Sequence, residues 1–263
     1  MSDPSVSVRV AVVTGGASGL GRIFALRMAA QGIRVAVVDR DPQALSALAS
    51  ESSNVHRVRC NVSSWEELRA AFAEIEAEFG TIDRLVTCAA IMPASKLAEQ
   101  ATREIQDVMA VNYGGTVNAV QAVLPAMAQR RGGELIIFGS TGGSVLVPDC
   151  GAYCASKAAT NVYAEMLIEE MRGSGVRVML VCPPLVDTPL LEQAVATSNP
   201  KIISDSIAKS RFASPEFIID EVEKALGKRT EILMPGVEAK AVMWLRRMSP
   251  GLLWRIVRLA NRE

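Results

Sequence analysis

Short β-branched runs alternate with longer amphipathic segments along almost the whole chain, and that rhythm leaves few folds open. Residues 8–14, 35–39, 55–60, 85–88, 134–139 and 176–182 read as strands, with 231–234 a seventh. Their near-continuous apolar character suits strands buried on both faces of a parallel sheet. Residues 19–31, 42–50, 64–79, 102–130, 152–172 and 215–226 read as helices. Ser63 or Ser64 caps the third, Glu66 and Glu67 stand in its first turn, and Gly80 closes it. Short connections between such elements predict an α/β fold, a doubly wound parallel sheet of about seven strands with helices on both faces.

A chain of 263 residues can bury a sizeable core, and no repeat, low-complexity tract or linker divides this one. A single domain over 1–263 is expected, with a core at 8–236. Two segments break the alternation. Residues 185–214 follow Cys182-Pro183-Pro184 as an irregular stretch too long for a simple connection, and 237–263 form a basic, tryptophan-containing extension.

Composition narrows the function classes. Hydrophobic residues are 49% and charged residues 21%, the balance of a compact enzyme rather than a disordered chain. Lys plus Arg equals Asp plus Glu at 28 each, so no global field favours nucleic acid. Cys60, Cys88, Cys150, Cys154 and Cys182 form no Cys-x-x-Cys pair, and His56 is the only histidine. Neither a metal site nor a disulfide framework is expected. With no signal-peptide pattern and no apolar run of spanning length, a cytoplasmic setting is expected.

Two motifs carry chemistry. Thr14-Gly15-Gly16-Ala17-Ser18-Gly19-Leu20-Gly21 lies between the first strand and first helix, where glycines let a pyrophosphate approach backbone N–H groups at the positive helix end. Asp39 ends the second strand 18 residues beyond Gly21. A carboxylate there accepts from ribose hydroxyls and repels a 2′-phosphate, which favours NAD, or it caps the turn before Asp41-Pro42. Arg40 beside it could hold that phosphate instead. Farther on, Tyr153 and Lys157 are four residues apart, which places phenol and ammonium on one helix face. The ammonium favours phenolate, so the tyrosine's pKa is expected to fall from about 10 toward working pH.

Together with Ser140, 13 residues before Tyr153, these features resemble the short-chain dehydrogenase/reductase family over residues 8 to 236. The resemblance implies a Rossmann fold and an NAD-dependent oxidoreductase that interconverts a secondary alcohol and a ketone. It makes Tyr153 the acid/base. Lys157 lowers the tyrosine pKa and holds the nicotinamide ribose, Ser140 orients the substrate oxygen, and Asn112 anchors a water linking Lys157 to solvent. Gly15, Ser18, Gly19, Leu20, Gly21, Asp39 and Arg40 would hold the adenosine and pyrophosphate side. Asn61, Val62 and Ala89 would complete that side, and Val186 and Thr188 would flank the nicotinamide together with Tyr153 and Lys157.

Three departures from the family pattern bear on cofactor affinity more than on chemistry: Thr87-Cys88-Ala89-Ala90 after the fourth strand, Asn61 near the adenine, and Pro184 beside the nicotinamide. The amide oxygen of Asn61 can accept from the adenine amine. An NADP-dependent reductase of 3-oxoacyl or similar carbonyl substrates is the alternative enzyme. A dinucleotide-binding sensor without turnover is the alternative class. Leu, Val, Ile and Met around 185–212 suggest a small lipophilic alcohol or ketone, and a homodimer or homotetramer is expected.

Cys150 and Cys154 flank Tyr153 as small apolar fillers or as a redox switch. In the extension, six basic residues face two acidic ones. Ala241, Trp244, Leu245 and Met248 share one helical face, and Ser249-Pro250 looks like an N-cap and first helical residue. Leu252, Leu253, Ile256, Val257 and Ala260 then form a stripe opposite Arg255, Arg258 and Arg262. Such a segment suits a peripheral membrane surface, a lid over a greasy substrate, a partner subunit, or packing on its own domain.

Overall fold

The computed structural model describes residues 8–49, 51–52 and 54–260. Seven strands form one sheet: β1 (Val10–Thr14), β2 (Arg34–Asp39), β3 (Val55–Arg59), β4 (Arg84–Thr87), β5 (Gly133–Phe138), β6 (Val176–Val181) and β7 (Ile232–Leu233). Their order is β3-β2-β1-β4-β5-β6-β7. The chain steps outward from β1 to β3, then returns to the other side of β1 with β4. That reversal is a topological switch point, the place where parallel α/β sheets bind ligands beyond their carboxyl ends. The registers are parallel, with Thr14 opposite Val38 on one side and Thr87 on the other. The expected doubly wound sheet is therefore present, each strand within two residues of its sequence reading.

Around the sheet lie helices α1 (Gly19–Ala30), α2 (Pro42–Ala49), α3 (Trp65–Phe79), α4 (Thr102–Met109), α5 (Gly115–Gln129) and α6 (Gly151–Glu170). They continue with α7 (Pro189–Thr197), α8 (Lys201–Ala208), α9 (Pro215–Gly227), α10 (Val237–Met248) and α11 (Pro250–Ala260). Ser64 caps α3 by accepting from the Glu67 N–H at 3.3 Å, which satisfies one of the helix's orphan donors. Ser50, read as the end of the second helix, and Arg262 lie outside the described residues.

The structure corrects two element readings. The single helix read over 102–130 is broken by a π-helical turn, Ala110–Gly114, between α4 and α5. A π turn holds an extra residue, which rotates the following helix relative to the preceding one and recurs at functional sites. Residues 185–214, read as irregular, contain α7 and α8. Thr188 and Pro189 form the N-cap and first turn of α7, and Pro200 precedes α8.

Two compact units share the chain. The first holds residues up to 89, 114–138 and 164–180. Its largest fully buried side chains include Phe24, Met28, Leu68, Ile75, Met127 and Ile136. Glu134 on β5, itself buried, meets Arg84 Nε at 2.8 Å and Arg177 Nη1 at 2.6 Å, so a buried carboxylate is held by guanidinium groups from β4 and β6. The second unit holds residues 90–113, 139–163 and 181 onward. Met92, Ala94, Cys150, Cys154, Leu191 and Ile203 form an apolar cluster there, with the Tyr153 ring packed against it.

Candidate active site

In the second unit, Ser140 follows β5 and caps a 3₁₀ turn, Thr141–Gly143, with its Oγ accepting from the Gly142 N–H at 2.9 Å. Its backbone is clamped from α6. The Ser140 N–H donates to Asn161 Oδ1 at 3.2 Å, and Asn161 Nδ2 donates to the Ser140 carbonyl at 2.9 Å. Thr141 fixes the other side, its N–H and hydroxyl donating to the Pro183 carbonyl at 3.1 and 3.2 Å. The turn lies so close to α6 that a Cβ on Gly143 would stand 2.7 Å from the Lys157 carbonyl oxygen. Only glycine allows that approach.

Helix α6 brings Tyr153 and Lys157 to this turn. The Tyr153 phenol is hydrogen-bonded to the Ser140 side chain, and Lys157 Nζ lies 6.0 Å from the centre of the tyrosine ring. Ser140 and Lys157 are buried, and Tyr153 is half-buried. The expected fall in the tyrosine pKa is not what the fold produces. Burial pushes the phenol up to about 12, while the hydrogen bond from Ser140 pulls the other way without offsetting it. A phenolate at this position loses water, and that loss outweighs the favourable contact.

Asn112 sits buried in the π turn. Its Oδ1 accepts from the Ile91 N–H at 2.8 Å, and its Nδ2 donates to the Ile91 carbonyl at 3.0 Å and to Ser156 Oγ at 2.9 Å. Ser156 in turn donates to the Tyr153 carbonyl at 2.7 Å. Asn112 thus ties the segment after β4 to the helix that carries Tyr153. Val186 is buried and bridged to Ala213, and Thr188 Oγ1 donates to the Val186 carbonyl at 3.4 Å. Burial pushes the Cys150 thiol up to about 12 and raises Cys154 as well, which keeps both as apolar thiols.

The first unit gathers the residues of the glycine-rich motif. Gly15 has φ +65°, and a Cβ on it would stand 2.5 Å from the Ala89 backbone, so the turn lies against the end of β4. Asp39 joins turn to sheet, with Oδ2 accepting from the Ala17 N–H at 3.1 Å and Oδ1 from the Asp41 N–H at 3.2 Å. Asp41 caps α2, accepting from the Gln43 N–H at 2.8 Å. Arg40 and Ser18 are exposed, and Leu20 is half-buried. Val62 is buried, and its carbonyl accepts from Asn118 Nδ2 at 3.0 Å. Asn61 Oδ1 already accepts from the N–H and hydroxyl of Ser63, at 3.1 and 2.8 Å. An adenine amine reaching that oxygen would meet these two donors.

These residues fit an anionic dinucleotide. Ser18 makes no side-chain cap on α1, and no acidic residue stands in the first turn, so that turn supplies no anion of its own to its N–H groups. The buried Thr87 hydroxyl, at the carboxyl end of β4, has no hydrogen-bond partner among the described residues, which leaves a donor for a bound group.

Comparison with known proteins identifies the family. The short chain dehydrogenase family model matches residues 9–199. The chain belongs to the short-chain dehydrogenase family. Among its relatives, dehydrogenase/reductase SDR family member 7B of Mus musculus is 29% identical over 94% of this chain and 80% of its own length. D-threitol dehydrogenase of Mycolicibacterium smegmatis is 33% identical over 80% of this chain and 82% of its own. A solved short chain dehydrogenase/reductase from Burkholderia phymatum, in complex with NAD, shares the fold with a TM-score of 0.83 at 24% identity, covering 94% of this chain and 96% of that one. As a short-chain dehydrogenase/reductase, the chain is an oxidoreductase of CH–OH or carbonyl groups, in a family that binds NAD(H) or NADP(H).

Ser156, Thr160 and Asn161 were not singled out by sequence, although they lie three, seven and eight residues after Tyr153. That spacing puts them on its helix face, and polar residues on a face meant for burial were the available signal.

Proposed function

We propose that this chain is an NAD-dependent oxidoreductase that interconverts a secondary alcohol and a ketone on a lipophilic substrate. The carrying observation is the Tyr153 phenol hydrogen-bonded to Ser140, with Lys157 on the same helix face. When bound, the nicotinamide supplies or accepts the hydride. In the reductive direction Tyr153 donates its phenol proton to the carbonyl oxygen, and in the oxidative direction it takes the hydroxyl proton. Ser140 orients that oxygen, its backbone held by Asn161. Lys157 would bind the nicotinamide ribose beside the tyrosine, and Asn112 would support the proton path to solvent.

Asp39 supports NAD over NADP, because its carboxylate meets the motif's turn where a 2′-phosphate would be repelled. Gly15, Ser18, Gly19, Leu20 and Gly21 would receive the pyrophosphate, with Val62 and Ala89 toward the adenosine and Val186 and Thr188 toward the nicotinamide. A lipophilic substrate is supported by Leu146, Val147, Leu185, Leu190 and Phe212, which pack round the cluster that holds the Tyr153 ring.

A panel of short and long secondary alcohols with NAD, followed by the absorbance of reduced cofactor, tests the reading. Turnover should rise with apolar chain length. Tyr153→Phe should cut kcat/KM by about 10²–10⁴-fold while cofactor binding persists, since only the proton-carrying oxygen is lost. A Tyr153→Phe protein within about threefold of the parent would remove Tyr153 from the proton step.

A further inference from the structure

The last two helices hold an apolar stripe in water. On α11, Leu252, Ile256 and Leu259 are 46%, 47% and 62% exposed, and their spacing stacks them on one face. The fold uses the adjoining flank of that helix, where Leu253, about 100° round from Leu252, is buried. Helix α10 repeats the arrangement. Val237, Trp244 and Met248 are exposed along one face, while Ala239 is buried.

Basic side chains flank both stripes. Lys240 and Arg247 stand exposed beside the first, Arg255 and Arg258 beside the second. No Asp or Glu occurs from 239 to 260, so every charged side chain in that stretch is basic. A second copy laid on this face would bring the same cations and no carboxylate from that stretch to meet them. An anionic surface with an apolar interior satisfies both features, and an exposed tryptophan suits the boundary between them.

We propose that α10 and α11 form a docking face for an anionic phospholipid bilayer, the stripes entering the acyl boundary and the basic residues meeting headgroup phosphates. The face lies outside the residues assigned to hydride and proton transfer, so its test stands apart from that reading.

The whole chain is sedimented with vesicles of phosphatidylcholine alone and with vesicles also containing phosphatidylserine. Tighter partition onto the phosphatidylserine vesicles is expected, by at least about tenfold, with a blue shift in tryptophan emission that Trp244→Phe removes. Arg255→Glu combined with Arg258→Glu should weaken partition by about 30-fold or more, from roughly fivefold per basic residue lost near the surface. Leu252→Ser combined with Ile256→Ser should weaken it too, with the thermal midpoint unchanged. Equal partition onto both vesicles, or none onto either, would overturn the proposal. So would a dimer in vesicle-free solution that Leu252→Ser and Ile256→Ser dissociate, which makes the stripe a subunit contact. The two-vesicle comparison needs only the unmodified chain, so it decides even if a variant misfolds.

Discussion

A phenol that ionises near pH 12 is an acid at neutrality, and this sets how Tyr153 would work from each side of the reaction. Below that pKa the ionised fraction grows tenfold per pH unit. Alcohol oxidation, which needs the phenolate, should therefore climb in kcat/KM with a slope near one from about pH 7 to about pH 10. Carbonyl reduction uses the protonated form and should stay level over the same range. A flat oxidation profile from initial rates across that window would show that another group takes the proton. Asp39 is the second residue with a sharp consequence. Its carboxylate binds the Ala17 N–H, so Asp39→Ala should loosen the turn and weaken both cofactors. The ratio of kcat/KM for NADP over NAD should still rise by at least about tenfold, because a like-charge clash is removed and Arg40 is left beside the phosphate. An unchanged ratio would mean that Asp39 serves only the turn.

Helix α6 carries two of the residues proposed for the chemistry, Tyr153 and Lys157. Tyr153, Ser156, Lys157, Thr160 and Asn161 fall on one face at helical spacing, and all but the half-buried tyrosine are buried. On the proposed mechanism Asn161 would act through Ser140 as a positioning residue. Asn161→Ala leaves the Ser140 N–H and carbonyl without their side-chain partners, at about 1–3 kcal/mol for each buried group left unsatisfied. The expected result is a kcat lowered about 10–100-fold with an unchanged KM for cofactor, since a misplaced Ser140 affects orientation rather than dinucleotide binding. Parallel losses in kcat and cofactor KM would indicate a general loosening of the fold. The π turn has the same kind of role on the other side, because its extra residue presents Asn112 to Ile91 and Ser156.

Across the whole molecule, burial sets both stability and reactivity. Glu134 is buried and held by Arg84 and Arg177, linking three adjacent strands. Glu134→Gln keeps the shape and one acceptor oxygen but removes the charge that Arg84 and Arg177 face, Arg177 being the more exposed of the two. A loss of about 3 kcal/mol in urea unfolding is expected, toward the low end for a broken buried pair. Activity per folded molecule should persist, because none of the three residues is among those proposed for catalysis. A loss below about 0.5 kcal/mol would show that water reaches the pair as at a surface bridge.

Much of this was legible in the residues themselves because local pattern encodes local burial. The apolar runs marked the strands to within two residues, since a parallel strand buried on both faces has little room for polar side chains. Glycine placement marked the turn beyond β1, and four-residue spacing paired Tyr153 with Lys157. What the sequence left open depends on neighbours that meet only in the folded chain. The tyrosine's acidity was misread because spacing reveals the ammonium but not the lost water. Asn161 was missed because Ser140 lies 21 residues away. The break at Ala110–Gly114 answers to Ile91 and Ser156, which no helical period contains. Periodicity determined which elements form and which faces they bury; desolvation and remote hydrogen bonds, decided by tertiary packing alone, determined what the buried groups can do.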